Sequence, residues 1–303
     1  MLNFEHEIAE LPEAGWLLPL ERREIFSIYP ELRVMSWGGV MLIVAGVGVL
    51  ISKNLDRIGP VLLGTAIAIA AATCYAYAAW RRKAAAHSLV DDFVLLLGAL
   101  LLSADVGYIE SQFHLLDHGW PRHFLIMAVV HGVTAYLFDS RTLLSLSISS
   151  LTAWLGVESR PETIFNASTE TAVRMFLCAV VVLTWRFADR RQRKSRTFEP
   201  VFDHFAANLA LIGALVLTFD GDTRSVGTLM TVILAAVVIA YGFRTGSEAF
   251  VLYAYVYAVI AIDIFVVDYL RRTKPILLFI VVSTIAAIVG LSALHARFRR
   301  KRA

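Results

Sequence analysis

Residues 247–270 read SEAFVLYAYVYAVIAIDIFVVDYL, a run of 24 residues with three charges, Glu248, Asp263 and Asp268. At about 1.5 Å rise per residue such a run reaches across a hydrocarbon core of about 30 Å as a helix. Lipid offers no partners for backbone N–H and C=O groups, so a spanning segment is either a helix or a strand of a closed barrel. Strands of a barrel alternate apolar and polar positions. Ala249–Ile262 holds no charge at all and shows no such alternation. It reads as a transmembrane helix.

Nine further stretches repeat this reading: Val34–Ile51, Gly59–Trp80, Leu89–Ile109, Pro121–Phe138, Thr142–Gly156, Thr171–Phe187, Val201–Phe219, Ser225–Phe243 and Pro275–His295. Thr142–Gly156 is short and serine-rich, and suits a tilted, re-entrant or protein-buried helix. The fold class expected is all-α: a polytopic integral membrane helical bundle of about ten transmembrane helices. Composition agrees. The 303 residues are 58% apolar and 17% charged with a mean hydropathy of +0.66, against about 45–50% and 25% for soluble domains. That balance excludes disordered, collagenous and nucleic-acid-binding chains. Cys74 and Cys178 both sit in apolar runs and read as small core residues.

Charge placement orients the bundle. With ten spans, segments sharing a side with the N-terminus carry 19 Lys and Arg and the opposite connections carry 8, which puts both termini in the cytoplasm. The acidic start without a continuous apolar run gives no sign of a cleavable signal. Residues 1–33 read as a cytoplasmic amphipathic helical hairpin, its second helix opened by Pro19, and residues 34–303 as the bundle with short loops and a basic C-terminal tail. The basic runs Arg190–Arg196 and Arg297–Arg302 suit an anionic cytoplasmic leaflet. Specific lipid or RNA contact is the alternative to a topology anchor. The anchor reading already accounts for the placement, and no nucleic-acid partner is expected.

Small residues four apart, Gly64, Ala68, Ala72 and Ala76, predict a helix seam, with a weaker echo in Ser145, Ser149 and Ala153. Ala72→Leu is accordingly expected to lower the folded yield. Ionisable residues at membrane depth are stronger functional signals because each is costly to insert. His131 lies mid-span, Asp263 about seven residues from the outer end of its span, and Asp105 just inside the outer end of the third. Each is a candidate for proton or cation coupling. The structural alternative is mutual pairing or a bond to a neighbouring helix. Asp91, Asp92 and Asp203 read as helix-start carboxylates, and Asn208 as a bond across helices. Outside the membrane, Glu110, His114 and His118 recur every four residues, a spacing compatible with zinc. No HExxH motif or cysteine pair accompanies them, so an interfacial loop anchored by Trp120 is the competing reading. No cofactor motif is present, and nothing decides homo-oligomerisation.

Several segments resemble one family: Leu11-Pro12-Glu13-Ala14-Gly15-Trp16 with Glu21-Arg22-Arg23, then Gly46-Val47-Gly48, then Asn54-Leu55-Asp56-Arg57-Ile58-Gly59-Pro60. Ser111-Gln112-Phe113-His114-Leu115 is similar to that family's Gly-Gln-aromatic-x-Leu turn, with Ser111 at the glycine position. These residues resemble the bacterial predicted membrane proteins grouped as domain of unknown function 2157, over roughly residues 8–155. The resemblance implies a bacterial inner-membrane, multi-pass location and brings no activity, cofactor or catalytic residue. On function, a small-solute or ion transporter is the leading reading, its layout similar to the five-plus-five drug/metabolite transporters. The absence of a visible internal repeat and of mid-span prolines weighs against it. A non-catalytic scaffold or regulatory partner of envelope proteins is the alternative. An intramembrane enzyme is the least supported, since no cluster of acids or histidines shares one depth.

Overall fold

The computed structural model describes residues 35, 38–43, 45–46, 48–49, 59–82, 89–113, 120–155, 169–192, 197–270 and 276–302. The expected hairpin at 1–33 and much of the first expected span lie outside these residues. Among the described residues there are helices and short connections but no strand. We number them α1 (Pro60–Arg82), α2 (Leu89–Phe113), α3 (Trp120–Phe138), α4 (Arg141–Trp154), α5 (Thr169–Gln192), α6 (Glu199–Phe219), α7 (Arg224–Thr245), α8 (Glu248–Leu270) and α9 (Ile276–Arg302). Seven of the described helices, α1, α2 and α5–α9, are long and apolar enough to cross a membrane. The chain is a polytopic helical membrane bundle.

The other two are shorter than expected spans. α3 has 19 residues and a shorter apolar part, Arg122–Phe138. α4 has 14 residues, about 21 Å of helix against a core of about 30 Å. Its Leu143, Leu144, Ser147 and Ile148 are all fully buried, which is the protein-buried reading of the serine-rich stretch. The Ser147 hydroxyl donates to the Ala128 carbonyl at 2.6 Å.

The chain forms two compact units, one of residues up to His123 with Val130–Leu143, the other of Phe124–Val129 with Leu144 onward. In the first, α1 packs on α2 through Leu63, Ile67, Ala71 and Leu101. A Cβ at Gly98 would lie 2.8 Å from the Cys74 Cβ, so the two backbones approach as closely as a glycine allows. The expected seam is displaced. Gly64 is buried, but Ala72 and Ala76 are exposed, and the buried line is Leu63, Ile67, Ala71 and Ala78. The buried line keeps the same spacing of four through Leu63, Ile67 and Ala71 but lies one residue earlier, about 100° around the helix.

The α3–α4 corner shows how one short residue serves two helices. Asp139 is left-handed at φ 52°, and the Ser140 N–H bonds back to the Ala135 carbonyl at 3.0 Å. The Ser140 hydroxyl then accepts the Leu143 N–H at 3.4 Å, as an N-cap does.

In the second unit α6 is central, packed against α5, α7 and α8, while α9 packs on α8. α6 buries Phe202, Ala206, Leu209, Leu211, Ala214 and Val216 around its circumference, the pattern of a helix with neighbours on every side. α7 shows the membrane arrangement in one helix. Gly227, Thr231, Ala235 and Gly242 face inward, and Val226, Leu229, Ile233 and Val237 are 54–63% exposed. Lipid is as apolar as leucine, so helices associate through small residues and leave their large apolar ones to the hydrocarbon. α7 ends at Gly246, left-handed at φ 69°, with the Ser247 N–H on the Gly242 carbonyl. The stretch expected as a basic tail is the end of helix α9.

Candidate functional site

The three intramembrane candidates are held in separate settings. His131 is 1% exposed, and its Nε2 lies 2.8 Å from the Ser103 Oγ. The Ser103 hydroxyl also reaches the Ala99 carbonyl of its own helix at 3.0 Å. Asp105 is buried on α2 beside Gly64. Its Oδ1 has no hydrogen-bond partner among the described residues and sits 3.6 Å from where a Cβ of residue 64 would stand. Asp263, in the other unit, accepts the Ser283 hydroxyl at 2.5 Å across the α8–α9 seam. Two of the three are thus answered by a serine of a neighbouring helix.

Glu110 is half-buried in the last turns of α2, and its charge acts on the buried His123 at the start of α3. His114 and His118 lie outside the described residues. Among the described residues no three His, Cys, Asp or Glu side chains gather as metal ligands.

The densest polar network is elsewhere, at the end of the second unit where α5 and α7 finish and α6 and α8 begin. Asp203 Oδ1 is 2.5 Å from Arg186 Nε, and its Oδ2 accepts Arg186 Nη2 at 3.3 Å and the Tyr241 hydroxyl at 2.6 Å. One carboxylate therefore joins three helices. The ion pair thus carries one charge-assisted hydrogen bond, from Nη2, beside a close charge contact at Nε. One turn further out, Arg190 pairs with Glu199 at 3.7 Å. Four residues forward on α5 match four residues back on α6, as antiparallel helices require. Beside this ladder the His204 ring stacks on Phe250, centroids 4.2 Å apart and planes 3° from parallel, and Tyr241 meets Phe250 edge-on at 5.3 Å. Asn208 accepts the Tyr257 hydroxyl at 3.3 Å, which is the predicted bond across helices.

Asp203 is not the helix-start residue expected. α6 begins at Glu199 with Pro200 in its first turn and no side-chain cap. Asp203 is a full turn inside, where its carboxylate reaches neighbours instead of its own N-H groups. Asp91 does lie in the first turn of α2, but it also pairs with Arg81 of α1 at 3.2 Å.

The network closes one end of a cavity of about 310 Å³. Its floor is Ala206, Ala207 and Ala210 of α6, and its walls are Leu183 of α5 and Val237 of α7. Alanines leave this trough because they project too little to fill the space between flanking helices. Leu183 is 48% and Val237 60% exposed, so the long side of the trough opens toward the surroundings of the bundle. Chemically it is an apolar slot with a charged, hydrogen-bonding end.

Residues 10–144 match the family model described as Predicted membrane protein (DUF2157). The match agrees with the resemblance carried by the Leu11–Trp16 and Asn54–Pro60 segments. It ends at Leu144, so the DUF2157 region covers α1–α3, while the Arg186–Asp203–Tyr241 network lies beyond it. No curated protein and no solved structure matches the chain.

Proposed function

We propose that the chain is a multi-pass protein of the bacterial inner membrane, with both termini in the cytoplasm, that moves a small solute or ion. The observation that carries this reading is the slot over α6, where an apolar floor ends at Arg186, Asp203 and Tyr241. Small-molecule sites combine mostly apolar walls with a few placed polar groups, and in a membrane such a charged end is costly unless it has a use. On the charge distribution, the network faces the cytoplasmic, anionic leaflet. Deleting the gene in its host and growing the strain on panels of metals, drugs and osmolytes tests the activity. A phenotype restored by the wild-type chain and not by Ala207→Trp, which fills the slot, supports transport. Full restoration by Ala207→Trp assigns the phenotype to something other than the slot.

The second reading is a non-catalytic scaffold for other envelope proteins. His131 and Asp263 favour it, because each is satisfied by a serine and neither lines the slot. A proton-coupled carrier should lose flux in proteoliposomes with Asp263→Asn. Equal flux in the two proteins removes Asp263 from any coupling role.

A further inference from the structure

Asp105 differs from the carboxylates that neighbouring helices answer. Asp203 is matched by Arg186 and Tyr241, Asp91 by Arg81, and Asp263 by the Ser283 hydroxyl. Asp105 is 4% exposed, and its Oδ1, which lies against Gly64 of α1, has no hydrogen-bond partner among the described residues. Tyr108, one turn on, lays its ring against the same glycine, and its buried hydroxyl is also without a partner among them. Native interiors leave few polar atoms unanswered, so two along one seam point to a ligand. Magnesium and calcium take six or more oxygens. One carboxyl and one phenol are too few, and no further His, Cys, Asp or Glu joins them as a metal site among the described residues. A proton needs a single oxygen, and in an apolar seam the neutral acid costs far less than a bare carboxylate. We propose that Asp105 is a proton-binding site in the α1–α2 seam. It holds its proton while the seam is closed and exchanges it from the end where α2 finishes at Phe113, about 12 Å away. No fixed cation competes for the carboxyl there among the described residues. Along α1 no titratable residue precedes Cys74. The same end of α2 carries Tyr108 and Glu110, and α3 brings His123 against Gly107, where the charge of Glu110 acts on it. The site lies wholly in the first unit and is independent of the slot over α6.

Infrared spectroscopy of the full chain in lipid vesicles tests this, because the C=O stretch of a protonated carboxyl absorbs apart from carboxylate and amide bands. At neutral pH the wild-type chain should show such a band, and exchange into heavy water should move it. Asp105→Asn, which has the shape of the neutral acid, should fold and lose the band, whereas Asp263→Asn should keep it. Gly64 supplies a second pair of variants. A Cβ there makes only ordinary contacts, at 3.6–3.8 Å, so alanine and serine both fit. A serine hydroxyl beside Oδ1 favours the ionised form. Gly64→Ser should therefore move the pH at which the band is half lost down by about one unit, the effect of one hydrogen bond to a charged acceptor. Gly64→Ala should not lower it. A wild-type spectrum without the band, a band that survives in Asp105→Asn, or the same midpoint in Gly64→Ser and Gly64→Ala overturns the proposal. The transport reading fails separately: the band with these properties, beside a gene deletion without phenotype, sinks transport and leaves the proton site standing.

Discussion

At the scale of single residues, Asp203 carries more structural consequence than the residues chosen for their depth. Its carboxylate holds Arg186 and Tyr241, and both ionic side chains are well shielded, 14% and 22% exposed. Removing one member of a shielded pair leaves the other charge uncompensated, at about 3–5 kcal/mol, whereas replacing both by apolar residues of similar size is often close to neutral. Asp203→Leu alone should therefore lower the melting temperature of the purified protein in detergent much more than Asp203→Leu combined with Arg186→Met. Equal losses in the single and double variants would show that the pair is not coupled. A smaller effect is expected at His131. Ser103→Ala deprives the buried imidazole of its hydrogen-bond partner at Nε2, a cost of about 1–3 kcal/mol, readable in the same melting experiment. His131→Leu together with Ser103→Ala should recover part of it. His131 and Asp263 were visible in the sequence because an ionisable residue inside an apolar run stands out by itself. Their serine partners were not, since serine is common in membrane helices and reveals nothing by spacing. The Asp203 network lay hidden for a different reason: its members are separated by 17 and 38 residues. The mirrored pairs Arg186/Arg190 and Glu199/Asp203 were the one local trace of it, and a helix-start explanation of Asp203 concealed them.

At the scale of helices, existence was legible and facing was not. A stretch of 20 apolar residues declares a spanning helix whatever its neighbours are, because the bilayer alone selects it. Which side of that helix meets protein depends on the partner. In α1 the partner α2 brings Gly98 against Cys74, and the seam follows Leu63, Ile67 and Ala71 rather than Ala68, Ala72 and Ala76 one residue round the helix. In consequence Ala72→Leu, on an exposed position, should leave yield and stability within about 0.5 kcal/mol of wild type. Gly98→Ala should cost about 1–3 kcal/mol by overpacking, since even its Cβ would stand 2.8 Å from that of Cys74. Parallel measurement of monodisperse yield and melting temperature for the two variants decides between the seams; a damaged Ala72→Leu beside an intact Gly98→Ala would restore the seam through Ala72. α4 teaches the same lesson about length. Its serines and its 14 residues mark it as unlike the others, and its burial of Leu143, Leu144 and Ile148 shows that protein takes the place of lipid around it.

At the scale of the whole molecule, the orientation proposed above rests on where arginines are retained, a kinetic property of insertion. The structure nevertheless sharpens the test. α6 has 21 residues, runs antiparallel to α5 and α7, and stands alone between the basic segment after Gln192 and the short turn at Asp220–Thr223. If α6 spans, those two connections are on opposite sides, and the proposed orientation puts the one that follows Arg190 and Arg191 in the cytoplasm. Alkaline phosphatase fused after Asp222 should be active, because it folds and oxidises only in the periplasm, and the same enzyme fused after Arg191 should be inactive. A green fluorescent protein after Ala303 should fluoresce. The parity of the remaining helices enters only through that last fusion, since α7, α8 and α9 separate it from Asp222 by three crossings. A dark C-terminal fusion with the Asp222 result intact would mean that one of these three helices lies in the membrane without crossing it. α9 is then the first to suspect, because it packs on α8 and its apolar stretch Leu278–Arg297 buries none of its residues in the bundle.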